Sequence, residues 1–152
     1  MKYFIFLIAT TVMFSACKKD KYTTEPQISF KSVNPNATSI AIGSVIPVIT
    51  FGITDAEGDI GFKKDVDTAF IYIKNNLTGK SDSLAFPDLN TASKSNFKAD
   101  VNVSIETVLQ CKSLPNGSEH TDTLYFDIYV KDFAGNKSNV ITTGEPIYFL
   151  CR

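Results

Sequence analysis

From Gln27 onward the sequence predicts an all-β domain, an antiparallel two-sheet sandwich of about seven strands. Apolar residues recur at every second position through most of this region, and no window of a dozen residues carries a helical stripe of period 3.6. The apolar runs are short, and clusters of Gly, Pro, Asn, Asp and Ser mark turns between them.

In chain order, Ile28 and Phe30 alternate with Ser29 and Lys31 in a first strand, which Asn34-Pro35-Asn36 turns. Residues 38–42 read as a short edge piece. Over 48–54, Ile49, Phe51 and Ile53 share one face, and Thr50, Gly52 and Thr54 the other. Residues 69–74 are apolar on both faces, the mark of a central strand. A weaker strand over 80–86 turns Leu84 and Phe86 inward and stops at Pro87, and 88–96 is a polar loop. Residues 97–111 alternate over their first half, with Val101, Val103 and Ile105 inward. The cleanest alternation covers 123–131: Leu124, Phe126, Ile128 and Val130 face the core, and Tyr125, Asp127, Tyr129 and Lys131 face out. Residues 139–150 close the domain, with Gly144-Glu145-Pro146 as a bulge or edge irregularity. With the strands from 48–54 onward as successive antiparallel neighbours, the loop after 54 and the turn after 131 emerge at one pole.

Ahead of the domain, residues 1–16 have the layout of a secretory signal. Lys2 precedes an apolar run over 3–14, too short for a bilayer, which needs about 20 apolar residues. Small residues lead into a cysteine in Phe14-Ser15-Ala16-Cys17, and this stretch resembles the signal of a bacterial lipoprotein. The resemblance implies cleavage before Cys17 and lipidation of Cys17 with diacylglyceryl and fatty acyl groups such as palmitate. It thereby implies a membrane partner through the anchor and a place in the cell envelope, at the outer membrane. Residues 17–26 then read as the lipidated cysteine and a flexible tether, and 27–152 as the domain. Nine residues, 18–26, reach at most about 30 Å.

Removing 1–16 leaves 136 of the 152 residues, enough for one domain with a sizeable core. Lys2 goes with them, so 14 basic and 16 acidic residues remain, and a net charge of −2 predicts no nucleic-acid partner. With Cys17 acylated, Cys111 and Cys151 are left in an oxidising compartment and predict one disulfide. Counting in twos from Val101 through Ile105 and Leu109 turns Cys111 inward, and counting from Ile147 through Phe149 does the same for Cys151. The alternative is a pair of buried free thiols.

Two further stretches carry resemblances. Asp132-Phe133-Ala134-Gly135-Asn136-Lys137-Ser138 resembles the D-x-A-G-N-x-S hairpin of bacterial immunoglobulin-like and fibronectin-type-III-like domains, which implies an immunoglobulin-like sandwich. Its Gly-Asn pair suits a hairpin that needs positive φ. Asp55-Ala56-Glu57-Gly58-Asp59-Ile60-Gly61 resembles the D-x-[DE]-G-D-[IL]-G segment of uncharacterised Bacteroidetes lipoproteins. Chemically, Asp55, Glu57 and Asp59 put three carboxylates at alternate positions beside glycines, and Asp132 joins them if the two loops share a pole. Hard oxygen ligands of this kind suit Ca²⁺, although the EF-hand pattern fails at Ile60 and Val66. The competing reading is a solvated acidic turn, neutralised by Lys63, Lys64 and Lys131 where Asp65 and Asp67 add to the charge.

No stretch spells out a reaction, and the expectation is a non-catalytic binding or assembly module. His120 is the single histidine, in a polar loop, without metal-ligand spacing or a nucleophile elbow. The partner is a protein or a glycan. The alternative reading is a glycan-binding accessory lipoprotein of a sugar-uptake system, ahead of a paired-carboxylate hydrolase built on Asp55 and Asp59. For the glycan reading, Tyr125 and Tyr129 project from one strand about 13 Å apart. Their other role is pairing across strands with Tyr72 or Tyr148. Asp67-Thr68-Ala69, Asp82-Ser83-Leu84 and Asp122-Thr123-Leu124 resemble the D-[ST]-apolar acceptor of Bacteroidetes O-glycosylation, which implies sugar on Thr68, Ser83 and Thr123. The same triplets also suit strand starts.

Overall fold

The computed structural model describes residues 21–63, 67–86, 95–115 and 117–152, and there the chain is all-β apart from one 3₁₀ turn at Glu106–Val108. No helix among the described residues is long and apolar enough to cross a membrane. Residues 1–16, expected to be a signal, and Cys17, Lys64 and Asp65 lie outside the described residues, as does most of the loop expected over 88–96.

The strands in chain order are β1 (Gln27–Asn34), β2 (Ala37–Ser39), β3 (Val48–Asp55), β4 (Phe62–Lys63), β5 (Asp67–Thr68), β6 (Phe70–Asn75), β7 (Ser81–Ala85), β8 (Phe97–Ser104), β9 (His120–Leu124), β10 (Phe126–Lys131), β11 (Ile141–Thr142) and β12 (Ile147–Cys151). They form three sheets, ordered β1-β3-β8, β11-β10-β6-β7 and β2-β12-β9, and a two-stranded ribbon β4-β5. All pairings are antiparallel except β2 with β12. Buried side chains from the three sheets, among them Phe51, Ile73, Val101, Phe126 and Ile147, join one hydrophobic cluster.

Several expectations give way to this pairing. The strands after β3 are not successive neighbours: β3 lies between β1 and β8, while β6 pairs with β10 in another sheet. The alternating run over 123–131 begins earlier, at His120, and changes partners at Tyr125, β9 pairing with β12 and β10 with β6 and β11. Its parity survives the change, because Asp122, Leu124, Phe126, Ile128, Val130 and Asp132 are all buried. The closing run is likewise two strands in two sheets, separated around Gly144-Glu145-Pro146. β6 is central but buried on one face only, through Ile71, Ile73 and Asn75. The edge piece expected over 38–42 is β2, which stops at Ser39 and leaves Ile40 and Ile42 exposed.

Residues 21–26, within the expected tether, are held against the domain. The Lys21 amide donates to Asn96 Oδ1 at 2.6 Å, the Ala56 amide to the Thr23 carbonyl at 3.1 Å, and Pro26 is buried. Only three residues, 18–20, then separate Lys21 from Cys17.

Cys111 and Cys151 are bonded to each other, with Cα atoms 5.9 Å apart. The strand expected to carry Cys111 ends at Ser104, and the 3₁₀ turn follows, so counting in twos does not run through to it. Cys111 is instead held where it arrives, because the next amide, of Lys112, donates to Asp122 Oδ2 at 2.7 Å. The bridge spans 40 residues. Loop closure on that scale contributes roughly 3 to 4 kcal/mol by restricting the unfolded chain. Denaturant unfolding with and without a reducing agent is expected to differ by about that amount, and Cys111→Ser/Cys151→Ser to match the reduced protein.

Candidate cation site

The acidic pole is built by continuing strand parity past the apolar residues. In β3 the buried positions are Ile49, Phe51, Ile53 and then Asp55. After β10 the next inward position beyond Ile128 and Val130 is Asp132. The two strands belong to different sheets and end at the same pole, so the last side chain on each buried face is a carboxylate there. Asp55 is 0 % exposed and Asp132 4 %.

The loop from Asp55 to Gly61 supplies the third member. Gly58, at φ 71°, permits a turn tight enough for its amide to donate to Asp55 Oδ1. Asp59 follows, and its carbonyl accepts the Phe133 amide at 3.0 Å, which ties this loop to the turn after β10. One carboxylate oxygen from each of Asp55, Asp59 and Asp132 lies within 4.8 Å of the others. Glu57 stands outside this group: it is exposed, and its Oε1 accepts from Thr24 Oγ1 at 3.0 Å.

The turn after β10 uses its Asn differently from the expectation. Positive φ falls on Gly135, at 86°, and Asn136 instead holds Asp132: its amide donates to Oδ1 at 2.7 Å and its side-chain Nδ2 to Oδ2 at 2.9 Å. Both oxygens of Asp132 are therefore oriented. By contrast, Asp55 Oδ2 and Asp59 Oδ1 are buried with no hydrogen-bond partner among the described residues. A buried carboxylate oxygen without a donor is costly, which calls for a proton or a cation.

The electrostatics agree. Burial pushes Asp55 up to about 6, with the Gly58 amide opposing and the charges of Asp59, Glu57 and Asp132 adding to the rise. Asp59 is raised as well, by burial and then by the Asp132 charge, with the backbone amides of Asp59 and Ala134 opposing. Of the neutralising lysines considered above, Lys131 is directed elsewhere, its Nζ lying 5.6 Å from the centre of the Tyr72 ring. Lys64, Asp65 and the side chain of Lys63 lie outside what the structure describes, and no ion pair among the described side chains involves the three aspartates.

The remaining candidates are dispersed. Tyr129 stacks on Tyr72 with ring centres 4.6 Å apart, and Lys137 Nζ sits 4.1 Å from the Tyr129 ring, so this pair is engaged within the protein. Tyr125 lies exposed at the break between β9 and β10. His120 is not a solvent-exposed loop residue: it opens β9, half-buried, with Nδ1 2.8 Å from the Ser118 carbonyl oxygen and Nε2 3.4 Å from Asp122 Oδ1. Ser83 and Thr123 are exposed on β7 and β9, and Thr68 is half-buried in β5. Cys111, Asp122 and Cys151 also place ligand-type atoms within 4.8 Å of one another, but sulfurs bonded to each other offer no thiolate to a metal. Comparison with models of protein families, with curated proteins and with solved structures finds no match to this chain.

The raised aspartates set a pH dependence. A carboxyl whose folded pKa exceeds its unfolded value adds stability that is complete below the unfolded pKa and is lost as pH rises through the folded one. For Asp55 that window runs from 3.8 to about 6. Asp127, lowered chiefly by its hydrogen bond from Asn76, acts in the opposite sense but below the ordinary carboxylate range. In chelator, the melting temperature is expected to fall between pH 5 and pH 7.5, and Asp55→Asn to flatten that slope while keeping an acceptor for Gly58. A wild-type melting temperature that rises over the interval would contradict the assignment.

Proposed function

We propose that this chain is a lipid-anchored, non-catalytic binding or assembly module of the cell envelope whose acidic pole binds Ca²⁺. The observation that carries the reading is Asp55 Oδ2, an oxygen without a donor among the described residues on a side chain with no exposure, within a group of three aspartates from both loops. Oxygens mutually within 4.8 Å can share an ion at calcium's usual distance of about 2.3 to 2.6 Å. Calcium takes about 6 to 8 oxygens in adaptable geometry, so a few carboxylates can hold it with solvent filling the remaining positions, whereas magnesium demands a near-ideal octahedron. The bound ion supplies the positive charge that three converging carboxylates lack.

The wider reading rests on sequence and pairing together. The order β1-β3-β8 beside β11-β10-β6-β7 supports an immunoglobulin-like sandwich, since it matches strands A, B, E and G, F, C, C′ of that fold. On this view β9 with β10, and β11 with β12, are single long strands bent from one sheet to another. The Phe14-Ser15-Ala16-Cys17 stretch supports the anchor.

Two measurements test this reading. Millimolar Ca²⁺ is expected to raise stability by about 1 to 3 kcal/mol at pH 7.5, and Asp59→Asn to erase the gain. A melting curve indifferent to calcium and chelator would overturn the cation site. Separately, Cys17→Ala is expected to abolish labelling by a fatty-acid analogue and to release the protein from the membrane fraction. Equal labelling of the variant and the wild type would overturn the anchor.

A further inference from the structure

The loop that carries the aspartates also holds the N-terminal segment, and the contacts converge on the residue after Asp55. The Ala56 amide donates to the Thr23 carbonyl at 3.1 Å, and the Ala56 carbonyl accepts the Asn96 amide at 2.7 Å. Asn96, held at φ 61°, uses its side-chain oxygen to accept the Lys21 amide at 2.6 Å. One residue further, Glu57 accepts from Thr24. Both backbone hydrogen-bonding groups of Ala56 are thus committed, one to the segment and one to the residue that grips it. Ala56 lies in the chain between Asp55 and Asp59, whose charges repel each other and that of Asp132.

We propose that the cation site is the clasp for the chain's own N-terminal segment, and that cation binding locks residues 21–26 onto the loop from Asp55 to Gly61. This rests on the calcium reading above. A cation that draws Asp55 and Asp59 together fixes the Ala56 peptide between them, so that its amide and carbonyl stand ready for Thr23 and Asn96. Without it, repulsion among the carboxylates spreads the loop and weakens the same contacts. The segment docks through a few hydrogen bonds and one buried proline, Pro26, an attachment slight enough for ion binding to shift.

Docking changes the domain's reach. With 21–26 clasped, three residues, 18–20, span at most about 10 Å between Cys17 and the domain. With the segment released, nine residues span at most about 30 Å. Given the anchor proposed at Cys17, calcium at this pole therefore sets how far the domain stands from its point of attachment.

Hydrogen exchange on the full chain, followed residue by residue with calcium binding measured by calorimetry on the same samples, tests this. Saturating Ca²⁺ is expected to slow exchange of the Lys21 and Ala56 amides about tenfold, while Asp59→Asn abolishes both binding and the slowing. Thr24→Ala leaves the three aspartates intact. It is expected to bind calcium a few-fold more weakly, because coupling between the ion and the docked segment is reciprocal. Calcium binding with unchanged exchange at Lys21 and Ala56 would overturn the clasp and leave the cation site standing. No binding at all would overturn both.

Discussion

The pleat of two strands decides where charge is buried in this protein. Side chains alternate across a strand whatever their chemistry, and β3 and the run through β10 each keep alternating after their apolar residues end. Asp55 and Asp132 are thereby drawn under the margin of the core from different sheets, where water solvates them poorly and each feels the other. Everything local to the pole answers this burial. Gly58 turns so that its amide meets Asp55, and Asn136 closes on Asp132 with two donors. The connection from Asp59 to Phe133 then makes the two loops one unit.

The run from His120 to Asp132 places inward-facing aspartates at both ends of the molecule, and a comparison of the two shows what distinguishes a site from a structural carboxylate. Asp122 sits beside the disulfide, where Oδ2 accepts the Lys112 amide and Oδ1 lies 3.4 Å from the His120 ring. Nearby sulfur atoms lie as close to Asp122 as ligands sharing an ion would, yet their bond to each other removes the ligand chemistry. At the far end Asp132 is equally well held, but it is joined by two aspartates that each keep an oxygen without a donor among the described residues. The same parity yields a pinned strand end at one pole and an unsatisfied cluster at the other.

Much of the strand content was legible because period-two alternation is a local property: Ile49, Phe51 and Ile53, or Leu124 through Val130, show it without reference to neighbours. The pairing was not, since whether β3 lies beside β6 or β8 depends on which buried faces meet across the core, and one run can change partners at Tyr125 with no break in its pattern. The site was legible in membership more than in geometry. Glu57 shares the spacing of Asp55 and Asp59, but it sits beyond the end of β3 and turns outward to Thr24. Extending the inward count of β3 by one step would have singled out Asp55 as buried. Asp132 follows from the same count applied to Leu124, Phe126, Ile128 and Val130.

The reach of such counting has a physical limit, shown by Cys111. Parity holds where a ladder of backbone hydrogen bonds keeps residues extended, as through β3 to Asp55, which still pairs with Phe97. It fails across Glu106–Val108, where a 3₁₀ turn rotates the chain and erases the alternation begun at Val101. The cysteine pairing was nonetheless inferable, by exclusion, because lipidation of Cys17 would leave only two thiols to combine. Inference by exclusion identifies a bond without locating it. Here location came from the destination, where β9 and β12 pair His120 with Cys151 and Asp122 anchors the backbone beside Cys111.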